Sequence, residues 1–157
     1  MGTNHFVATN ERTIGATPEQ IWAVLADAMS YDRWVVGAKD IRTADGTWPE
    51  PGSSLHHTIG VGPMELKDTS TVLEAEPPRW LVLEARGRPL GMARVELLLE
   101  PVDGGTKVTM IEDATRPAAV KAMNPVLHPL VHSRNTETLR RLDEATHERM
   151  AATSTEV

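Results

Sequence analysis

The chain has 157 residues, no cysteine, and a formal net charge of −6 with acidic and basic residues interspersed. That length suits one domain with a core of ordinary size, and the missing cysteines exclude disulfides, thiolate nucleophiles and zinc–thiolate sites. Nucleic acid is not expected as a partner, because phosphate neutralisation needs a basic patch. A membrane span is not expected either, because no run of about 18 apolar residues occurs. The N-terminus shows no basic, then apolar, then small-residue leader pattern. These features together predict a cytoplasmic protein.

His5 to Ile14 alternates weakly and is rich in β-branched and polar residues, as a strand would be. Thr17-Pro18-Glu19-Gln20 starts a helix with three signals at once: Thr as N-cap, Pro at the first helical position, and Gln three after the cap. Ile21, Trp22, Leu25 and Ala28 supply its buried face, and it ends near Met29. Ser30 to Gly37 predicts a turn and a second short helix, with Trp34 anchoring the pair to the rest of the fold.

From Ala38 strands dominate. They are expected over 39–44, 53–61, 64–75, 79–86, 92–100 and 106–114, separated by Gly- and Pro-containing turns. Asp103-Gly104-Gly105 is a strong hairpin signal. Short connections pair sequential neighbours antiparallel, and the first strand brings the sheet to seven. Ala93, Val95, Leu97 and Leu99 share one face of their strand, as Val108, Met110 and Glu112 share one face of theirs. The segment 116–123 reads as a linker or short helix.

The chain closes on a long amphipathic helix, Asn124 to Met150, with residues 151–157 as a disordered tail. Leu127, Leu130, Val131, Leu139, Leu142 and Ala145 form its apolar stripe, and Arg134, Glu137, Arg140 and Arg141 lie opposite. Pro129 either starts this helix or kinks it. The front half of the inner side is polar, with His128, His132 and Asn135 beside Val131. A bent antiparallel sheet cannot leave its apolar face wet, and the first two helices are too short to cover it. The expectation is a sheet curled around the last helix, with a hollow between them.

Several stretches carry a resemblance. They are Ile14-Gly15-Ala16-Thr17-Pro18-Glu19-Gln20-Ile21-Trp22 with Leu25 and Asp27, then Tyr31-Asp32-Arg33-Trp34, Pro51-Gly52, Glu76-Pro77-Pro78-Arg79, Leu99-Glu100-Pro101, Gly104 to Thr109, and Leu139-Arg140-Arg141-Leu142. Over about residues 5 to 150 the chain resembles the START-like, or SRPBCC, superfamily, in its polyketide cyclase/dehydrase and lipid-transport branch. The resemblance implies an α+β helix-grip fold and one ligand-binding domain over residues 1–150. It also implies a hydrophobic or polyaromatic ligand between sheet and helix. The matching residues are caps, turns and core anchors, so no catalytic motif comes with them.

The candidates for chemistry are therefore read from residue type and place. Only one of the adjacent His56 and His57 can point inward. With Leu55 and Ile59 inward, it is His57, either as an acid/base group or as a hydrogen-bonded wall residue. Glu112 lies toward the concave side, either as a buried general base or reaching water or an arginine. His128 and His132 stand four apart on a helix, a metal-binding spacing, but Pro129 occupies the position where the zinc-protease motif has Glu. A polar rim accounts for them better, and neither metal nor cofactor is expected. Trp48, in a loop, is either a lid or a packing anchor, and Trp80 walls either the cavity or the outer sheet surface.

The expected ligand wall is Trp34, Trp48, His57, Trp80, Met110, Glu112, His128, Val131, His132, Asn135 and Leu139. The favoured reading is a binder of a lipid- or polyketide-like molecule. The alternative is a cyclase- or dehydrase-type enzyme in which His57, Glu112 or His132 moves protons and Asn135 binds an enolate. A groove for a peptide or another subunit is the third. A monomer or a homodimer fits each of them.

Overall fold

A computed structural model describes residues 3–61, 63–87, 91–117 and 124–155. Seven strands are present: β1 Thr3–Ile14, β2 Ala38–Ala44, β3 Ser54–Val61, β4 Met64–Glu76, β5 Trp80–Gly87, β6 Gly91–Val102 and β7 Gly105–Pro117. Helices α1 Pro18–Leu25 and α2 Tyr31–Trp34, joined by a 3-10 turn at Ala28–Ser30, follow β1, and α3 Asn124–Thr155 ends the described chain. The strands form one antiparallel sheet in the order β1-β7-β6-β5-β4-β3-β2. Register shifts between β2 and β3, and at Val72/Glu74 between β4 and β5, bend it. This is the α+β helix-grip architecture expected.

Local chemistry fixes the elements. Thr17 Oγ1 accepts the Gln20 amide at 3.2 Å while Gln20 Oε1 accepts the Thr17 amide at 2.9 Å, a complete capping box. Helix α1 stops at Leu25, earlier than expected, because Asp27 caps the 3-10 turn through the Met29 amide at 3.1 Å. The β6–β7 turn is seated against the end of β1. A Cβ on Gly105 would stand 2.0 Å from the Ile14 carbonyl oxygen, so only glycine fits there. The Thr106 hydroxyl then donates to the Ala16 carbonyl at 2.7 Å.

Helix α3 starts at Asn124, as expected, and includes Pro129, but it continues to Thr155, so residues 151–155 extend it where a disordered tail was expected. Its front turns stand clear of the body: Leu130, expected inside, is 58% exposed, and Val126 is 63% exposed. The expected linker falls mostly on residues 118–123, outside the described residues.

The main core lies at the other end. Ile14, Ile21, Leu25, Leu55, Leu81, Leu97, Leu99, Leu139 and Leu142 pack there between sheet, α1 and the rear half of α3. Ala114 and Val131, with Ala8 and Ala93, form a separate small cluster under the front half. Between the two clusters the sheet and helix part.

Candidate ligand cavity

A cavity of about 410 Å³ fills that gap. Its apolar wall comes from the concave faces of β5, β6 and β7, with Leu83, Ala85, Ala93, Val95, Leu97, Met110 and Ala114, and from Val35 and Val36 after α2. Strand alternation puts those residues inward. The polar wall has two parts.

The first part joins α2 to β3 and β4. Tyr31 Oη lies 2.8 Å from Ser70 Oγ, and Ser70 Oγ lies 3.2 Å from His57 Nε2. Asp68 Oδ2 is 3.7 Å from the same nitrogen. His57 faces inward with Leu55, which is buried beside it, as the alternation predicted. Its other nitrogen, Nδ1, is buried with no partner among the described residues. With the proton on Nε2, His57 donates to Ser70, whose own hydrogen goes to the Tyr31 oxygen and frees the phenol hydrogen for a group in the cavity; with the proton on Nδ1 the run reverses.

Burial dominates the titration of this wall. It pushes Tyr31 up to about 12, with the Ser70 hydrogen bond opposing. It pushes His57 down to about 4. It pushes Asp68 up to about 6, against the backbone amides of Thr69 and Arg86, which favour the anion. At neutral pH the imidazole is uncharged and Asp68 is mostly ionised. Ser70, His57 and Asp68 are not a nucleophilic triad, because serine and aspartate meet one and the same ring nitrogen.

The second part joins β7 to α3. Glu112 is buried and accepts from Arg134 Nη2 and, at 2.9 Å, from Asn135 Nδ2, both on Oε2. Asn135 Oδ1 in turn accepts from Arg134 at 3.1 Å. The open question about Glu112 is thus answered by an arginine.

Of the expected wall, Trp34, His57, Met110 and Glu112 line the cavity. Val131, Leu139 and Asn135 are buried next to it but do not line it: the first two pack, and Asn135 holds Glu112. His128 and His132 are exposed and lie off the cavity. The inward line of α3 runs Val131, Asn135, Thr138, Leu142, and His132 stands one residue, about 100°, past Val131. Trp48 is buried in the main core, its Nε1 donating to the Leu25 carbonyl at 3.1 Å, so it is the packing anchor and not the lid. Trp80 is on the outer surface, donating to Glu96 at 2.8 Å. Among the described residues no three His, Asp or Glu side chains converge as a metal would need, and no helix is long and apolar enough to cross a membrane.

Sequence reading passed over Tyr31, Asp68, Ser70 and Arg134. Alternation back from the buried Val72 would have found Ser70 and Asp68. Arg134 sits at the edge of the inner stripe and reads as exposed because its aliphatic stem reaches around to the cavity.

The family model described as polyketide cyclase / dehydrase and lipid transport matches residues 5–146. The chain belongs to that family. No curated protein matches it in sequence. Solved structures match it in fold. A protein of Rhizobium leguminosarum superposes with a TM-score of 0.74 at 13% identity, covering 94% of this chain and 97% of its own. A protein of Rhodobacter sphaeroides gives 0.70 at 24%, covering 92% and 99%. The di-domain ARO/CYC StfQ of the steffimycin biosynthetic pathway gives 0.76 at 11%, covering 94% of this chain and 52% of StfQ. Identities this low make all three likenesses ones of fold alone.

Proposed function

We propose that the protein binds a hydrophobic small molecule, lipid- or polyketide-like, in the cavity between sheet and α3. The observation that carries this is a hollow of about 410 Å³, within the size range of small-molecule sites, whose wall is apolar except for two compact polar groups. Family membership supports the same reading. Apolar burial would supply most of the affinity, and Tyr31 would orient the ligand by donating to an oxygen on it. A cytoplasmic location and a monomer or homodimer belong to this reading, with no nucleic-acid partner.

Native mass spectrometry of the protein as purified tests it, together with the Ala85→Phe variant, whose ring would occupy the cavity. A retained small molecule in the wild type that is missing from a folded Ala85→Phe variant is the expected result. Equal retention by both would sink the proposal.

A cyclase- or dehydrase-type activity is the second reading, favoured by one observation: a hydrogen-bonded run links the Tyr31 phenol at the cavity through Ser70 to the His57 imidazole. That arrangement could polarise a carbonyl as its enolate forms. Glu112 is already engaged, its Oε2 accepting from both Arg134 and Asn135. His132 is too exposed and too far round the helix to take part. With a poly-β-keto substrate, Tyr31→Phe would lower turnover by about tenfold or more if this holds, whereas a pure binder turns nothing over.

A further inference from the structure

The two polar groups of the cavity are not electrically alike. Glu112 meets the Arg134 guanidinium, so that pair is neutral as a unit. Asp68 has no such partner. It is buried and lines the cavity. One carboxylate oxygen accepts the Thr69 amide at 2.7 Å, and the other faces His57, which carries no charge at neutral pH. Arg42 comes near but donates to the main-chain carbonyls of His57 and Asp68, and makes no ion pair with the carboxylate. Arg86 pairs with Glu84. Among the described residues lining the cavity, the charges are thus Asp68, Glu112 and Arg134, which leaves one negative charge unmatched.

A buried carboxylate without a counter-ion is costly, and folding has already met that cost before any ligand arrives. A cation entering beside it would recover part of it. The aromatic surroundings favour the same guest. The rings of Tyr31 and Trp34, with centroids 5.4 Å apart, and that of His57, 4.9 Å from Tyr31, cluster on this wall. The faces of tyrosine and tryptophan attract cations. We propose that the ligand of this cavity carries a protonated amine, seated against Asp68 beside Tyr31 and Trp34, with its apolar body along β5, β6 and β7. This rests on the binding reading above and names the head group of the molecule bound.

The test compares one tail with three head groups. Nonylamine, nonanol and nonanoate are titrated into the wild-type protein by calorimetry at about pH 7.5, where the amine is protonated and Asp68 ionised. The amine should bind at least about tenfold tighter than the alcohol, as a charge-assisted contact would give, and nonanoate should bind more weakly than either. In Asp68→Asn the advantage of the amine over the alcohol should vanish while the alcohol still binds. Ala85→Phe, with Asp68 intact, should abolish amine binding and so exclude attraction to the acidic surface. Equal affinity for amine and alcohol in the wild type, or a preference that survives Asp68→Asn, would overturn the proposal and leave the cavity reading standing. Failure of all three probes would overturn both. The wild-type comparison needs no variant, so the idea is exposed even if Asp68→Asn does not fold.

Discussion

Asn135 Nδ2 donates to Glu112 Oε2 at 2.9 Å, on the same oxygen that Arg134 holds. The contact ties the middle of α3 to the middle of β7, and it lets a carboxylate sit inside the fold. Truncating Arg134→Ala would leave Glu112 with the amide alone. Breaking a buried pair costs about 3–5 kcal/mol, but the arginine side chain is 41% exposed, so a loss of about 1–3 kcal/mol is expected. Urea denaturation measures it. Adding Glu112→Gln should restore most of the loss, because an amide needs no counter-charge. Additive losses in the double variant would show that the pair has no coupling.

Asp68 and His57 pull acid stability in opposite directions. Burial pushes the Asp68 carboxyl up from its ordinary value of 3.8 to about 6. The native state therefore binds the extra proton, and stability rises as pH falls from about 6 toward 4. Burial pushes the His57 imidazole down from its ordinary 6.5 to about 4. There the unfolded state binds the extra proton, and stability falls as pH drops through nearly the same window. The wild type should show little slope between about pH 6 and pH 4 from this pair. His57→Gln should become more stable across that window on acidification, and Asp68→Asn less stable. Thermal melts at several pH values would show it, and parallel profiles for the two variants would refute the assignment.

Trp48 belongs to the core, not to the ligand. Removing its hydrogen bond to the Leu25 carbonyl by Trp48→Phe should cost about 1 kcal/mol, and Trp48→Ala about 3–5 kcal/mol. Neither should alter probe affinity where the variant remains folded. Loss of binding by folded Trp48→Phe would return this residue to the cavity.

Much of the fold was readable because each signal was local. The Thr17 cap, the Asp103-Gly104-Gly105 turn and the alternation of β6 each depend on neighbours in sequence, and each is where it was expected. The inward facing of His57 and Glu112 followed from the same alternation. What could not be read depends on the bend of the sheet and on which side of α3 faces it. His128, His132 and Leu130 lie near the inner side by spacing, yet they fall off the line Val131, Asn135, Thr138 that is buried against the sheet, and they are exposed. Nor does spacing tell that a long guanidinium on the flank of a helix will cross to a carboxylate on a strand, as Arg134 does.

The packing of α3 has an uneven footing. Behind Asn135 the helix rests on large aliphatic side chains, whereas ahead of it Val131 rests on alanines. Pro129 contributes no amide to the ladder in that front stretch. Amide exchange should therefore be graded along one helix: Leu139 to Thr146 protected up to global unfolding, Leu127 to Arg134 released by small local openings. Uniform protection in a hydrogen–deuterium measurement would contradict this. A molecule could then slip in beneath the loosened front turns while the rear half stays clamped, so that uptake and release would be timed by fraying rather than by unfolding.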